Sequence, residues 1–266
     1  MSFMCSKFFT LVQALCKIIV PLLHLRARIQ YRAGFRKEPT SFAAEGFKKF
    51  AGMVGDSQTL GRFWGLLQIF QWLISLERTP QPTRNLLTIE RLQGWSMLGY
   101  YPLEHLSHLR SHDILPPSIS IPVPVAEKPK QLELDAGALS RASCRFWAAY
   151  VVLQFAHLRE DRKLLQLQQR ALKKSKVGGK ISDAEKAEFA RRWDAYWSGL
   201  LTNICNLPIA LHWSVTGGII KNSLVVDILS LLAAVLSFRS GWRATALLDP
   251  EEESDNHAGP PVDEKQ

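Results

Sequence analysis

Residues 57–78 read SQTLGRFWGLLQIFQWLISLER, and the fourteen positions from 63 to 76 carry no charge. As a helix, this uncharged run is about 21 Å long, which is shorter than the ~30 Å hydrocarbon core of a bilayer. Its polar side chains share a narrow arc, whereas aromatic and aliphatic side chains fill the wider one. This pattern predicts an amphipathic helix that lies in a membrane interface, although helices of soluble bundles show the same pattern. The residues predicted to insert into the membrane are Arg62, Phe63, Trp64, Leu67, Phe70, Leu73 and Ile74.

The composition limits the class of protein. The 266 residues include 33 Lys and Arg against 24 Asp and Glu, which gives a formal net charge of +9. Hydrophobic residues make up 47% of the chain, too many for a protein that is disordered throughout. A mean hydropathy of −0.04 argues against a transporter built mostly of spanning helices. The four cysteines are widely spaced and form no CxxC pair, so we expect neither a zinc finger nor a disulfide framework.

The charge is unevenly distributed along the chain. Residues 249–266 carry a net charge of −6, so the remaining residues carry +15, and residues 244–266 are predicted to form a disordered acidic tail. Residues 1–37 contain seven basic residues and no acidic one, with polar positions at steps of three and four. This spacing predicts an amphipathic basic helix, and a mitochondrial presequence has the same character. Basic side chains expected to contact anionic lipid headgroups are Lys7, Lys17, Arg26, Arg28, Arg170, Lys173 and Lys174.

The whole pattern predicts an all-α fold made of membrane-associated amphipathic helices and one or two C-terminal hydrophobic helices that could cross a membrane. Residues 1–115 form the N-terminal amphipathic helical region, and residues 116–137 form a Pro-rich linker. A basic amphipathic helix and loop follow over residues 138–192, and a hydrophobic membrane region over residues 193–243.

Two apolar runs in the membrane region are each marginal as spans. Residues 195–220 carry no charge, but Asn203, Asn206, Pro208 and the Gly217-Gly218 pair dilute the run and are expected to break it. Extending the second run would place Asp227 inside the membrane, which costs about 2.5–3.5 kcal/mol on insertion scales. An alternative hypothesis is therefore an oligomeric pore whose lumen is lined by Asn203, Asn206 and His212.

Motifs of enzyme chemistry are not found. The sequence contains no nucleophile elbow, P-loop, dinucleotide-binding fingerprint or HExxH pattern, so we expect a protein that is not an enzyme and needs no cofactor. His105, His108 and His112 could share a helix face, but no second Cys or His cluster accompanies them, and no metal site is expected. The basic run near residue 174 lacks interleaved aromatics, so nucleic acid is not an expected partner.

Three segments together resemble the peroxin-eleven family of peroxisomal membrane proteins, in its fungal C or gamma-like type. They are GDSQTLGRFWGLLQIFQWLISLE (55–77), LQGWSMLGYYPLEHLSHLRSHDIL (92–115) and SCRFWAAYVVLQFAHL (143–158), followed by the two apolar runs that end at Trp242. Asp56 and Arg62 match the first family motif, whereas Gln58 stands where the family often has Arg. Family-motif residues expected to be structural are Asp56, Pro102, Leu103 and Glu104.

The resemblance implies a peroxisomal membrane protein whose amphipathic helices bend and elongate the membrane before fission, with both termini facing the cytosol. It also implies self-association and recruitment of a dynamin-related GTPase through tail-anchored adaptors. Channel-like metabolite passage has been proposed for some members. Physical chemistry alone supports the membrane-bending part, because shallow insertion of aromatic side chains expands one leaflet.

Overall fold

The computed structural model describes residues 3–121, 130–175 and 182–244, which form seven helices and two short strands. The elements are α1 (Phe3–Arg32), α2 (Phe42–Phe63), α3 (Gly65–Arg78), α4 (Arg84–Ser111), β1 (Ser118–Ile121), β2 (Lys130–Glu133), α5 (Ala136–Ser175), α6 (Asp183–Ser214) and α7 (Ser223–Ala244). The two strands pair antiparallel inside the segment predicted to be a linker. The prediction of an all-α fold is confirmed, and all of the predicted acidic tail beyond Ala244 lies outside the described residues.

Six of the helices form a closed ring. Helix α1 packs against α2 on one side and α7 on the other, and the series continues from α7 through α6 and α5 to α4. The ring closes at the α2–α4 junction, where residues 56–63 of α2 contact residues 104–111 of α4 and its C-cap residue His112. Helix α3 lies outside the ring, where it packs against α4 and α2.

Side-chain caps determine where two of these helices begin. Ser41 has extended backbone, and its hydroxyl accepts a hydrogen bond at 3.4 Å from the N–H of Ala44, the third residue of α2. Thr83 accepts in the same way from the Leu86 N–H at 3.2 Å before α4. Each cap satisfies an amide donor that the first turn of a helix leaves without a partner.

Residues 57–78 do not form one helix, contrary to the prediction. Helix α2 ends at Phe63 and α3 begins at Gly65, with Trp64 between them. The interruption falls where the backbone approaches α4, since a Cβ atom at Gly65 would lie 3.0 Å from Cε1 of Tyr101. Packing against α4 has therefore divided a segment whose side-chain pattern is continuous.

Two helices are long and apolar enough to cross a membrane, judged by length and composition. They are the stretch Cys5–Arg32 of α1 and the whole of α7. Only 11% and 22% of their most apolar windows are buried inside the fold, unlike the core helix of a soluble protein. Helix α7 is the expected C-terminal candidate, whereas α1 was expected to lie in the interface and here is also a candidate span.

The C-terminal apolar run breaks at only one of the expected places, the Gly217-Gly218 pair. Helix α6 runs without interruption through Asn203, Asn206 and Pro208. The Asn203 amide donates to the Gly199 carbonyl at 2.8 Å, so this polar group is satisfied without leaving the helix. The chain turns only at Gly217 and Gly218, whose φ values of 79° and 70° favour glycine. Because α6 begins at Asp183, it also crosses the predicted boundary at residue 193.

Candidate functional site

Helix α3 carries an apolar stripe on the outside of the fold. Trp64, the N-cap residue of α3, and Leu67, Phe70 and Ile74 within the helix recur every three or four positions, and all four are exposed, with Trp64 at 74%. We call these four residues the outer stripe. They are the part of the predicted inserting surface that the fold leaves accessible.

The other three residues of the predicted inserting surface pack against α4. The Arg62 guanidinium forms an ion pair with α4, and the Phe63 ring stacks on His105 with centroids 3.8 Å apart. Leu73 packs so closely on Gly94 that a Cβ atom there would lie 2.3 Å from its Cδ2. These residues hold α2 and α3 against α4, which corrects the prediction of a single inserting face.

A cavity of about 850 Å³ lies inside the ring. Its wall contains residues of α1, α2, α4, α5, α6 and α7 and of the turn after α6. Many of the lining side chains are polar, among them Thr10, Gln58, Ser143, Asn206, His212 and Ser230. A volume in this range is typical of a pocket that holds a small molecule.

Helix α7 has a face with hydroxyl side chains and an apolar face. Ser230 and Ser237 line the cavity, whereas Ile228, Leu232 and Val235 are exposed on the outside. A soluble protein normally buries its apolar side chains and exposes its polar ones. Helix α7 reverses this arrangement at these positions, which suits an apolar surrounding.

The polar stripe of α1 faces inward, which sequence periodicity could not decide. The Thr10 hydroxyl donates to the side-chain oxygen Oε1 of Gln58 at 2.9 Å, and the Gln58 side-chain nitrogen Nε2 donates to Oε1 of Gln13 at 3.2 Å. Lys17 lines the cavity and acts electrostatically on Asp227 of α7. Lys17, a charged residue in the middle of an apolar helix, thus lies beside the cavity and within electrostatic reach of the Asp227 carboxylate.

The basic residues predicted to contact lipid headgroups divide into two groups. Arg26, Arg28, Arg170 and Lys174 are exposed, near the ends of α1 and α5. Lys7 and Lys17 are half-buried, and Lys17 lies in the cavity wall. Lys173 also belongs to α5. A headgroup contact thus remains a prediction for the exposed members, whereas the position of Lys17 argues against it.

The strongest polar contact of the α2–α4 junction is bidentate. Arg62 Nε and Nη2 donate to the two Glu104 carboxylate oxygens at 2.7 Å and 2.9 Å. The Tyr100 hydroxyl donates to the same carboxylate at 2.6 Å, and Arg62 Nη2 also donates to the Thr59 hydroxyl at 3.0 Å. Burial, with Glu104 adding to it, raises the pKa of Tyr100 well above its ordinary value, so the phenol remains a donor.

Of the family-motif residues, Asp56 and Glu104 both belong to this junction. Pro102 is exposed inside α4, and Leu103 is half-buried beside it.

The three histidines of α4 do not form one cluster. His105 is buried against Phe63, and burial lowers its pKa. His108 and His112 instead lie beside Asp56 of α2, with the His112 Nε2 atom 3.7 Å from Asp56 Oδ1. The ligand atoms of these last three residues all lie within 4.8 Å of one another, so they could hold a metal ion.

His212 is held in the cavity wall by the turn that follows α6. Its Nδ1 atom accepts hydrogen bonds from the Ile219 and Ile220 amides at 3.0 Å and 3.1 Å. The other ring nitrogen, Nε2, therefore carries the proton in the neutral imidazole. Gly218 packs directly on this ring, since a Cβ atom there would lie 2.1 Å from Cε1.

The sequence pattern did not predict the cavity. The available signal was the recurrence of small and hydroxyl side chains within apolar helices, such as Ser140 and Ser143 on α5 or Ser230 and Ser237 on α7. Such spacing marks one helix face but does not reveal which helices face each other.

Comparison of the chain with family models, with curated proteins and with solved structures finds no match. A functional proposal therefore depends on the geometry of the ring and of α3, together with the sequence resemblance described above.

Proposed function

We propose that this protein is a non-enzymatic membrane protein that elongates the peroxisomal membrane and promotes peroxisome fission. The observation that carries the proposal is the outer stripe of α3, which displays Trp64 and Phe70 on a helix outside the ring. An aromatic stripe of this kind partitions into the boundary between headgroups and acyl chains. Insertion into one leaflet expands that leaflet relative to the other and favours curvature.

The ring supports α3 in this role. With α1 and α7 in the membrane, their apolar outer faces contact lipid and their polar faces remain against the cavity. Helix α3 is bound to α4 by the close Leu73–Gly94 contact and by an ion pair between Glu77 and Arg91. Because α3 is attached to a ring that α1 and α7 hold in the membrane, α3 stays inserted in the leaflet.

The organelle and the partners come from the resemblance to the peroxin-eleven family. We propose that both termini face the cytosol, that the protein self-associates, and that it recruits a dynamin-related GTPase through tail-anchored adaptors. Exposed Arg26, Arg28, Arg170 and Lys174 would bind anionic headgroups, at about 1 kcal/mol per basic residue near the surface.

Vesicle tubulation tests the proposal. The purified full chain is reconstituted into vesicles that contain anionic lipid, and tubule formation is counted by electron microscopy. We expect the unaltered chain to form tubules and the double variant Trp64→Gln, Phe70→Gln to incorporate but form few. The matched control is Trp197→Gln on α6, which changes another exposed tryptophan outside α3. Equal tubulation by the α3 variant and the unaltered chain would refute the proposal.

Localisation and membrane insertion are tested together. A tagged chain is expected on peroxisomes and in the pellet after alkaline carbonate extraction. If residues 1–37 were instead a mitochondrial presequence, the mature protein would lack the whole of α1, which packs against both α2 and α7. Mass spectrometry of the mature N-terminus separates the two hypotheses.

A second candidate function, passage of polar solutes, is favoured by the cavity. Asn206 and His212, expected in the lumen of an oligomeric pore, line the cavity of a single chain. Asn203, the third expected residue, is buried and bonded within α6. The geometry thus favours a path inside each protomer over a path between protomers.

Planar-bilayer recording tests this second function. A large side chain that faces the cavity, Ser230→Trp, should reduce the conductance, whereas Leu232→Trp on the outer face of the same helix should not. No conductance from the unaltered chain, or equal conductance in both variants, would exclude the candidate.

A further inference from the structure

We propose that Asp56, His108 and His112 bind a Zn²⁺ ion that links α2 to α4. The two histidines are four residues apart at the C-terminal end of α4, so they share one face of the chain. Asp56 comes from α2, and the candidate ligand atoms of the three residues all lie within 4.8 Å of one another. The site therefore takes ligands from two helices that meet at the α2–α4 junction.

The distances are close to those that zinc requires. With bonds of about 2.0–2.1 Å, a tetrahedral zinc ion places its ligand atoms about 3.4 Å apart. His112 Nε2 and Asp56 Oδ1 are already 3.7 Å apart, and the rings of His108 and His112 have centroids 4.5 Å apart. The other separations are at most 4.8 Å, so side-chain rotation has to shorten them by up to about 1.4 Å to complete the geometry. The Asp56 and His112 side chains are about half exposed, so the ion can enter.

The chemistry of the ligands also suits zinc. Two imidazoles and one carboxylate form a known three-ligand set, and a water molecule occupies the fourth position in such sites. No metal site was expected from the sequence, because it contains no second cluster of Cys or His. Asp56 of α2 is the third ligand, and its position in the sequence does not indicate that it lies beside His108 and His112.

The location assigns the ion a structural task. Asp56 lies six residues before Arg62 on α2, which is about 9 Å along the helix. The junction would thus be joined at two places, by the Arg62–Glu104 pair near one end and by zinc near the other. Gly55 and Ser107, which are next in sequence to Asp56 and His108, line the cavity. Zinc at this position holds one wall of the cavity closed, and the inference does not depend on the membrane-shaping proposal.

Metal titration of the full chain tests the site. The protein is purified in detergent with a histidine-free affinity tag, stripped with a chelator and titrated with Co²⁺ or Zn²⁺ alone. We expect one ion per chain by atomic absorption, visible Co²⁺ absorption bands that Zn²⁺ removes, and a higher unfolding temperature with Zn²⁺. The variants Asp56→Asn and His108→Gln should lose affinity by at least the roughly 10- to 100-fold that follows loss of a supporting residue.

The matched control is His24→Gln. His24 Nε2 also lies 3.7 Å from a carboxylate oxygen, that of Glu45, but this pair joins one histidine to one carboxylate. We expect the control to bind Zn²⁺ as the unaltered chain does. No stoichiometric binding by the unaltered chain would overturn the inference, whether or not a variant folds. So would equal affinity in Asp56→Asn and His24→Gln.

Discussion

The Arg62–Glu104 pair provides a quantitative test of the α2–α4 junction. The side chains are 33% and 18% exposed, so the pair is neither fully buried nor a surface pair. Loss of one partner costs 3–5 kcal/mol in buried pairs, and exposed pairs contribute about 0–1 kcal/mol. We expect Glu104→Gln to lower the free energy of unfolding by about 2 kcal/mol, because a half-buried guanidinium loses its counter-charge while the Tyr100 hydroxyl keeps an acceptor.

A double-mutant cycle isolates the interaction energy between Arg62 and Glu104. Arg62→Met, Glu104→Gln and the combined variant are unfolded reversibly in mixed detergent and followed by circular dichroism. A direct interaction gives a coupling energy of at least about 1 kcal/mol, since residues in contact are not additive.

The chain supplies its own control for the cycle. Arg91 and Glu77 form a bidentate pair of the same chemistry between α4 and α3, but their side chains are 44% and 54% exposed. Screening by water should make the coupling in a parallel cycle clearly smaller than that of the junction pair. Equal coupling in the two cycles, or additive effects of the two junction changes, would refute the assignment of Arg62–Glu104 as the stronger contact.

Three further predictions concern other parts of the fold. The hydrogen bond that the His157 ring donates to Asp161, opposed by burial and aided by Glu90, raises the pKa of His157, so its stabilisation is complete below the unfolded pKa and is lost as pH rises through the folded pKa. The variant His157→Gln should flatten the corresponding decline in melting temperature between mildly acidic and mildly alkaline pH. Gly218→Ala should lower the free energy of unfolding by roughly 1–3 kcal/mol, because its positive φ and the packed imidazole both oppose a side chain; an unchanged denaturant midpoint would contradict this. Burial raises the pKa of the Cys144 thiol to about 11, so alkylation followed by mass spectrometry should be slow at neutral pH and accelerate towards that value.

Periodicity predicted the helical class but not the partners of each helix face. The outer stripe and the inward side of α3 are both apolar, so a pattern of hydrophobicity cannot tell lipid contact from protein contact. Leu73 and Phe63 contact protein, because Leu73 packs on Gly94 of α4 and Phe63 stacks on His105 of α4. Such contacts depend on residues distant in sequence.

The cavity and the metal site could not be predicted for the same reason. The sequence placed a polar stripe on α1 correctly, and we expected it to face lipid headgroups. In the folded chain the Thr10 hydroxyl binds the Gln58 side chain of α2, and Lys17 is close enough to Asp227 of α7 to act on it electrostatically. The direction of an amphipathic helix is set by which neighbours can satisfy its polar groups, and that is a property of the assembled ring.

The contact between α1 and α7 has a consequence for biogenesis. These helices are the first and last of the described chain, so the ring stays open until α7 has been synthesised. Until then Lys17 lacks its electrostatic interaction with Asp227, and a lone charge inside a bilayer costs about 2.5–3.5 kcal/mol. Under the membrane location proposed above, stable insertion of α1 has to follow synthesis of α7. A targeting factor that shields α1 during translation would meet this requirement, and premature truncation before α7 should yield a product that cells degrade.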